Sequence, residues 1–215
     1  MSHQSTAGRS GAPRFDGILL AAGESRRMGY PKPLLEVGGR TFLATIAQAM
    51  LEAVGRLVVV VGAHADAVRR AVPADSRIAV AENTEYQRGQ LSSIKAGLRA
   101  IGRDAAGALI HLADHPMVRP ATFKAVIEEH RQSRRPIVIA RYCGRRGHPV
   151  LFARELFAEL EAAPEDQGAR VVVAADPQRV AYVEVDDPGV VMDLDTPEEL
   201  ERAGLGRPPA GLVRG

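Results

Sequence analysis

Cysteine is almost missing from this chain: Cys143 is the one thiol among 215 residues, which excludes an internal disulfide and a disulfide-built scaffold. A single thiol without paired ligands reads as structural rather than catalytic, and it fits a reducing compartment. Aromatic residues make up only 4% and tryptophan is absent, so there are few platforms for stacking bases. With a net charge of +2 and no long Lys/Arg stripe, nucleic acid is excluded as the main partner. No stretch approaches the ~18 consecutive apolar residues of a membrane span, and Met1–Pro13 lacks the apolar centre of a secretory signal. The expectation is therefore a cytoplasmic protein with no membrane partner. It would have a disordered leader over 1–15, one domain over 16–205 and a flexible tail over 206–215.

What the chain does have is α/β order. Short apolar runs at Leu57–Val61, Ile78–Ala81, Ala108–Leu112 and Ile137–Ala140 alternate with amphipathic segments. Phe42, Ile46, Ala49, Met50 and Ala53 recur at helical spacing after Thr41, a suitable N-cap. Leu91, Ile94, Leu98 and Ile101 do the same after Gly89, and Phe123, Val126 and Ile127 follow Pro120 at a helix start. After Ala140 the pattern loosens into the Gly/Arg-rich turn Arg141–Gly147. Helix-like segments then run through Glu161 and over Gln167–Ala175, read as an acceptor-side elaboration of the same domain. Arg179–Val185 reads as a last strand, and Thr196 with Pro197 and Glu199 spells the start of a terminal helix. The strand ends of a parallel sheet gather on one edge, where ligands bind.

The densest chemistry is Leu20–Leu35, LAAGESRRMGYPKPLL, which follows the apolar run Gly17–Ala21. Gly23 lets backbone N–H groups approach an anion, and Arg26, Arg27 and Lys32 add positive charge beside it. Two common phosphate loops fit poorly. Gly29 is separated from Lys32 by Tyr30 and Pro31, which breaks the Gly-Lys-Ser/Thr of a Walker loop. Five residues lie between Gly23 and Gly29, which does not make G-x-G-x-x-G, and Leu57–Val61 ends in Gly62-Ala63-His64 rather than in an acid. A dinucleotide-binding oxidoreductase is set aside on those grounds.

Asp114 directly follows the run Ala108–Ala113, so its carboxylate stands at the end of a central strand, where a turn before Pro116 is the alternative role. Asp193 and Asp195 alternate with Met192 and Leu194 and share one face, and capping the Pro197 helix is the competing role for that pair. A basic loop with acids from two remote strand ends is the inventory of a Mg²⁺–nucleotide site, because magnesium takes few protein ligands and completes its shell with water and phosphate. His111 and His115 stand four apart, which in extended chain separates them by roughly 13 Å and argues against zinc. They are read, with His64, His130 and His148, as surface, packing or substrate-contact residues.

Together these motifs resemble the MobA-like nucleotidyltransferase family, and specifically its molybdenum cofactor cytidylyltransferase branch, from about Asp16 to Leu205. LAAGESRRMGYPK resembles the signature loop, NTEYQRGQLSSIKAGL the base-side and ribose-side segment, and LADHP the metal-aspartate motif. RGHPVLF resembles the acceptor-side turn and DLDTPEEL the closing motif, while RGHPVLF and DQGAR narrow the branch. The resemblance implies a three-layer, Rossmann-like, mostly parallel sheet of the nucleotide-diphospho-sugar transferase type, with helices on both faces. It implies nucleotide contacts from Ala21, Ala22, Gly23, Asn83, Gly89, Ser92 and Ser93, with Arg26 and Lys32 on the phosphates. Asp114 and Asp195 would hold magnesium, and Gly147, His148, Asp166 and Arg170 would face the acceptor.

The implied reaction transfers CMP from CTP to the phosphate of molybdopterin with release of pyrophosphate, the catalytic residues being Arg26, Lys32 and Asp114. A molybdoenzyme would receive the product. Ala22 stands where guanylyl-transferring relatives show glycine, and its methyl would crowd a purine, which favours CTP. His115 departs from the branch, which usually shows glutamine there. The alternatives are a sugar- or alditol-phosphate nucleotidyltransferase, or a non-catalytic nucleotide- or cofactor-binding accessory protein.

Overall fold

A seven-stranded sheet in the order β5-β4-β1-β6-β8-β7-β9 forms the middle layer. The computed structural model describes residues 13–206. Residues 1–12 of the expected leader and 207–215 of the expected tail lie outside the described residues. The strands are β1 (Phe15–Ala21), β4 (Arg56–Val61), β5 (Ile78–Glu82), β6 (Gly107–Leu112), β7 (Ile137–Tyr142), β8 (Arg145–Ala153) and β9 (Val180–Glu184). A small antiparallel pair, β2 (Glu36–Val37) and β3 (Arg40–Thr41), stands apart. The helices are α1 (Phe42–Leu51), α2 (Ala65–Ala71), α3 (Gln90–Ala100), α4 (Pro120–Ser133), α5 (Phe157–Ala162), α6 (Arg170–Ala175) and α7 (Pro197–Arg202). This is the expected mostly parallel α/β architecture.

The central strands are apolar on both sides because both faces are covered. Every residue of β1 is buried, as are Leu57–Val61 of β4. Burial of each such valine or leucine contributes roughly 1.5–3 kcal/mol. Leu19, Val59, Leu109 and Leu151 point to one face, where Leu43, Ile46 and Met50 of α1 and Phe123 and Val126 of α4 pack. Ile18, Val58, Val60, Ile110 and Phe152 point to the other, against Leu91 and Ile94 of α3, Leu160 of α5 and Val172 of α6. The Thr41 hydroxyl caps α1 by accepting from the Ala44 N–H at 3.1 Å, as its position suggested.

β8 was not legible as a strand: it runs nine residues through the Gly/Arg-rich turn and pairs antiparallel with both β6 and β7. All other pairings in the large sheet are parallel. The carboxyl ends of β1, β6, β7 and β9 and the amino end of β8 therefore share one edge. A third, smaller cluster positions that edge: Met28, Tyr30 and Leu35 from the basic loop pack on Phe42, Leu194 and Leu200. It fastens the segment carrying Lys32 to the segment carrying Asp195.

Candidate active site

The basic loop is a chain of tight turns. Ser25 takes a left-handed conformation at φ 54°, and its carbonyl accepts from the Met28 and Gly29 N–H groups, each at 3.1 Å. Its hydroxyl accepts from the Lys32 N–H at 3.0 Å, which fixes where the Lys32 side chain leaves the backbone. The His64 ring lies 3.2 Å from the Glu24 carbonyl and anchors the start of the loop. Lys32 then reaches across the sheet edge: its Nζ lies 3.0 Å from Asp114 Oδ2 and also contacts Asp195 Oδ1. Arg27 pairs with the other oxygen of Asp195.

Asp114 is set just past β6, and its carbonyl accepts from the Leu194 N–H at 3.0 Å, tying the two acidic segments together. Asp195 is held from the other side. The Glu199 carboxylate accepts from the Asp195 and Thr196 N–H groups at 2.7 and 2.9 Å, and the Thr196 hydroxyl accepts from the Glu199 N–H. This is the expected capping box, completed by Pro197 in the first turn.

Burial alone would lower the Lys32 ammonium, but the Asp114 charge and the hydrogen bonds to Asp195 and Asp114 outweigh it and hold its pKa above the usual value. Burial likewise pushes the Asp195 carboxyl up, and the Lys32 hydrogen bond, the Lys32 charge and Arg27 overcome it and hold it below the usual range. Both groups are thus charged near neutral pH. Asp114 Oδ1 is buried without a hydrogen-bond partner, so this carboxylate has an oxygen to offer. Two carboxylates reaching one cation, with a spare buried oxygen, form a donor set suited to a hard divalent ion. Among the described residues no group of three or more His, Cys, Asp or Glu could hold a metal.

These groups wall a cleft of about 380 Å³ at the shared strand edge. Of the residues singled out by sequence, Ala21, Ala22, Gly23, Arg26, Lys32, Gly89, Ser93, Asp114 and Asp195 line it. Arg27, Tyr86 and Gln90 line it too. Arg27 was read as positive charge beside the phosphate-binding turn, and Tyr86 and Gln90 were given no role, although both lie inside the quoted NTEYQRGQ stretch. Arg26 is mostly exposed and pairs with Glu24 at 2.7 Å.

Asn83 and Ser92 stand behind the cleft. The buried Asn83 amide donates to the Ser92 and Ser93 hydroxyls at 2.8 and 3.0 Å and accepts from the Glu85 N–H at 3.0 Å. The three groups shape the turn into α3, where Gly89 takes φ 103°, a conformation that side chains resist. Asp193, Asp166 and Arg170 are exposed and lie outside the cleft lining. Gly147 also lies outside it; a Cβ there would overlap the Val190 carbonyl, so its smallness serves packing.

His148 belongs to a histidine cluster. Its ring centroid is 6.3 Å from that of His111 and 5.6 Å from that of His115, and His111 and His115 are 6.0 Å apart. The extended-chain separation of His111 and His115 fails because the chain turns after Leu112, and His111 Nε2 comes within 3.0 Å of the His115 carbonyl. Burial, reinforced by the His115 charge, pushes His148 down to about 4, and burial pushes His111 well below its usual value. His115 Nε2 is 3.7 Å from Asp114 Oδ1, and its Nδ1 is 3.3 Å from the Gly189 carbonyl.

The MobA-like NTP transferase domain family matches residues 17–181. The chain belongs to that family. Among curated relatives, nicotine blue oxidoreductase of Paenarthrobacter nicotinovorans is 35% identical over 91% of this chain and 98% of its own length. Purine catabolism protein PucB of Bacillus subtilis is 30% identical over 88% and 96%. Molybdenum cofactor cytidylyltransferase of Escherichia coli is 25% identical over 86% and 93%. Among solved structures, Rv0371c of Mycobacterium tuberculosis superposes with a TM-score of 0.77 at 32% identity, covering 89% of this chain and 97% of that one. Its manganese complex gives a TM-score of 0.74 at 30% identity over 89% and 98%. Among the described residues no helix is long and apolar enough to cross a membrane.

Proposed function

We propose that this MobA-like protein is a cytoplasmic magnesium-dependent nucleotidyltransferase that moves CMP from CTP to the phosphate of molybdopterin. The observation that carries the reading is the convergence of Asp114 and Asp195, from remote segments, on the Lys32 ammonium at the mouth of the cleft. The E. coli relative's name supports the transfer and its acceptor, and the manganese complex of Rv0371c supports a divalent ion.

In this reading Ala21, Ala22 and Gly23 lie against the nucleotide, with Ser93 and Gly89 on its far side. Arg26, Arg27 and Lys32 take the triphosphate. Asp114 and Asp195 would hold the ion, which when bound polarises the α-phosphate and neutralises charge on the transferring group. An acceptor phosphate oxygen forms the new bond to the α-phosphorus as the bond to the β-phosphate oxygen breaks, and pyrophosphate leaves carrying the electron pair. Lys32 and Arg26 stabilise the charge that accumulates on that leaving group. No general base is needed, because a phosphate monoester is already largely ionised near neutral pH.

The name of the Paenarthrobacter relative describes an oxidoreductase. In this chain β1 ends at Ala21 and the first α-helix begins only at Phe42, so no α-helix N-terminus follows the loop directly to receive a dinucleotide pyrophosphate. The complete set of Lys32, Asp114 and Asp195 speaks against a non-catalytic accessory role. The test is pyrophosphate release with magnesium, crossing CTP, GTP, ATP and UTP with molybdopterin and a panel of sugar phosphates. Release with CTP and molybdopterin is expected. Release only with a sugar phosphate, or CTP binding without any release, overturns the proposal.

A further inference from the structure

A basic aromatic patch lies on the cleft's edge of the sheet, outside the nucleotide groups. Arg141 on β7 and Arg146 on β8 are directly paired across the strands, and both guanidiniums lie over the Tyr182 ring of β9, at 5.3 and 5.0 Å from its centroid. Like charges placed opposite each other in a sheet destabilise it. Of the two arginines Glu184 pairs with Arg141, at 2.7 Å, and its other oxygen accepts from the Gly144 N–H at 3.1 Å. Among the described residues no carboxylate pairs with Arg146 or with its exposed neighbour Arg145. The sheet therefore carries an uncompensated planar cation on an aromatic platform.

Its position suits an extended acceptor. Tyr182 packs with the face that also carries Leu20, Ala22, Tyr86 and α3, which is the face of the nucleotide cleft. Asp114 follows β6, and β8, β7 and β9 lie successively further along the sheet, at roughly 5, 10 and 14 Å from β6 by ordinary strand spacing. A guanidinium fork recognises a flat heterocycle twice, by stacking on its ring and by donating paired hydrogen bonds to a ring carbonyl or ionised edge.

We infer that Arg146, Arg141 and Tyr182 form the distal acceptor subsite, which holds the flat heteroaromatic end of an acceptor whose phosphate lies at Lys32 and Asp114. The inference rests on the acceptor proposed above, and its test separates the two. Neopterin monophosphate, which fluoresces, and ribose 5-phosphate, which has no heterocycle, are titrated against the full chain with magnesium and a non-hydrolysable CTP analogue.

Arg146→Ala and Tyr182→Ala are expected to weaken neopterin monophosphate about tenfold while affinity for ribose 5-phosphate and for the CTP analogue stays at the wild-type value. Arg146→Lys, which keeps the charge and loses the planar fork, is expected to restore little of the loss. Wild-type affinity in both alanine variants overturns the subsite, as does failure of the wild-type chain to bind neopterin monophosphate. Full rescue by Arg146→Lys also overturns it and marks the patch as a plain electrostatic dock for an acidic protein. Tight neopterin monophosphate binding with no pyrophosphate release from any acceptor leaves the subsite standing and removes the transfer reading.

Discussion

Lys32 Nζ lies 3.0 Å from Asp114 Oδ2 although 82 residues separate the two in the chain. Their meeting is a product of the sheet order, which sets the end of β6 beside the loop that leaves β1. A third group, Asp195, contacts the same ammonium from the end of the domain, so one cation gathers three segments of chain.

The pair gives the most direct prediction. Asp114→Asn keeps the shape of the side chain and removes its charge, so turnover should fall by about 10²–10³-fold. The melting temperature should stay within a few degrees. Lys32→Ala should lower kcat by about 100-fold and change the nucleotide KM by less than about threefold, because its contact strengthens as pyrophosphate leaves. Steady-state kinetics and thermal melts check both, and undiminished turnover in Asp114→Asn removes its metal role.

Thr196→Ala takes away the cap of α7 and should cost about 1 kcal/mol in urea unfolding. Its effect should extend to activity, because the same box holds the Asp195 backbone through Glu199. The double variant with Glu199→Ala should cost less than the sum of the two single changes, since both members serve one motif.

The clustered histidines predict an acid limit to stability. Burial and the His115 charge push His148 down to about 4, and burial pushes His111 well below its usual value, against 6.5 for each when unfolded. Between those limits the unfolded chain binds more protons, so stability falls as pH drops from 6.5 toward 4. Asp195, held below its usual range by Lys32 and Arg27, adds a loss below about pH 4. Lys32, raised above 10.5, contributes stability that is complete below that pH and lost as pH rises through its folded value. Urea midpoints at pH 7 and pH 5 test the histidine part, and His148→Gln should flatten the slope between them.

Much of this was legible in the sequence, for identifiable reasons. Buried parallel strands leave uninterrupted apolar runs, so β1, β4 and β6 stood out, and Asp114 stood out because it ends one of them. Thr41 and Thr196 were readable because a cap is a local hydrogen bond that needs only the right residue at the right offset. β8 was hidden because Gly147 and Pro149 interrupt its alternation and its pairing partners are remote. Asn83 and Ser92 carry the composition of ligand contacts but face each other, a distinction made by burial and not by residue type. The histidine cluster depended on a turn after Leu112 and on a third ring from β8, neither of which spacing along one strand reveals.

β8 runs against both its neighbours and is the seam between β6 and the β7–β9 pair. On one side of that seam stand the strands that bring Lys32 and Asp114 to the cleft; on the other stand strands whose edge groups, Arg141, Arg146 and Tyr182, lie outside its lining. Such a sheet is divided in labour along a single hydrogen-bonded join. Changes in the outer three strands toward a new recipient molecule would leave intact the β1–β6 pairing that sets Lys32 beside Asp114.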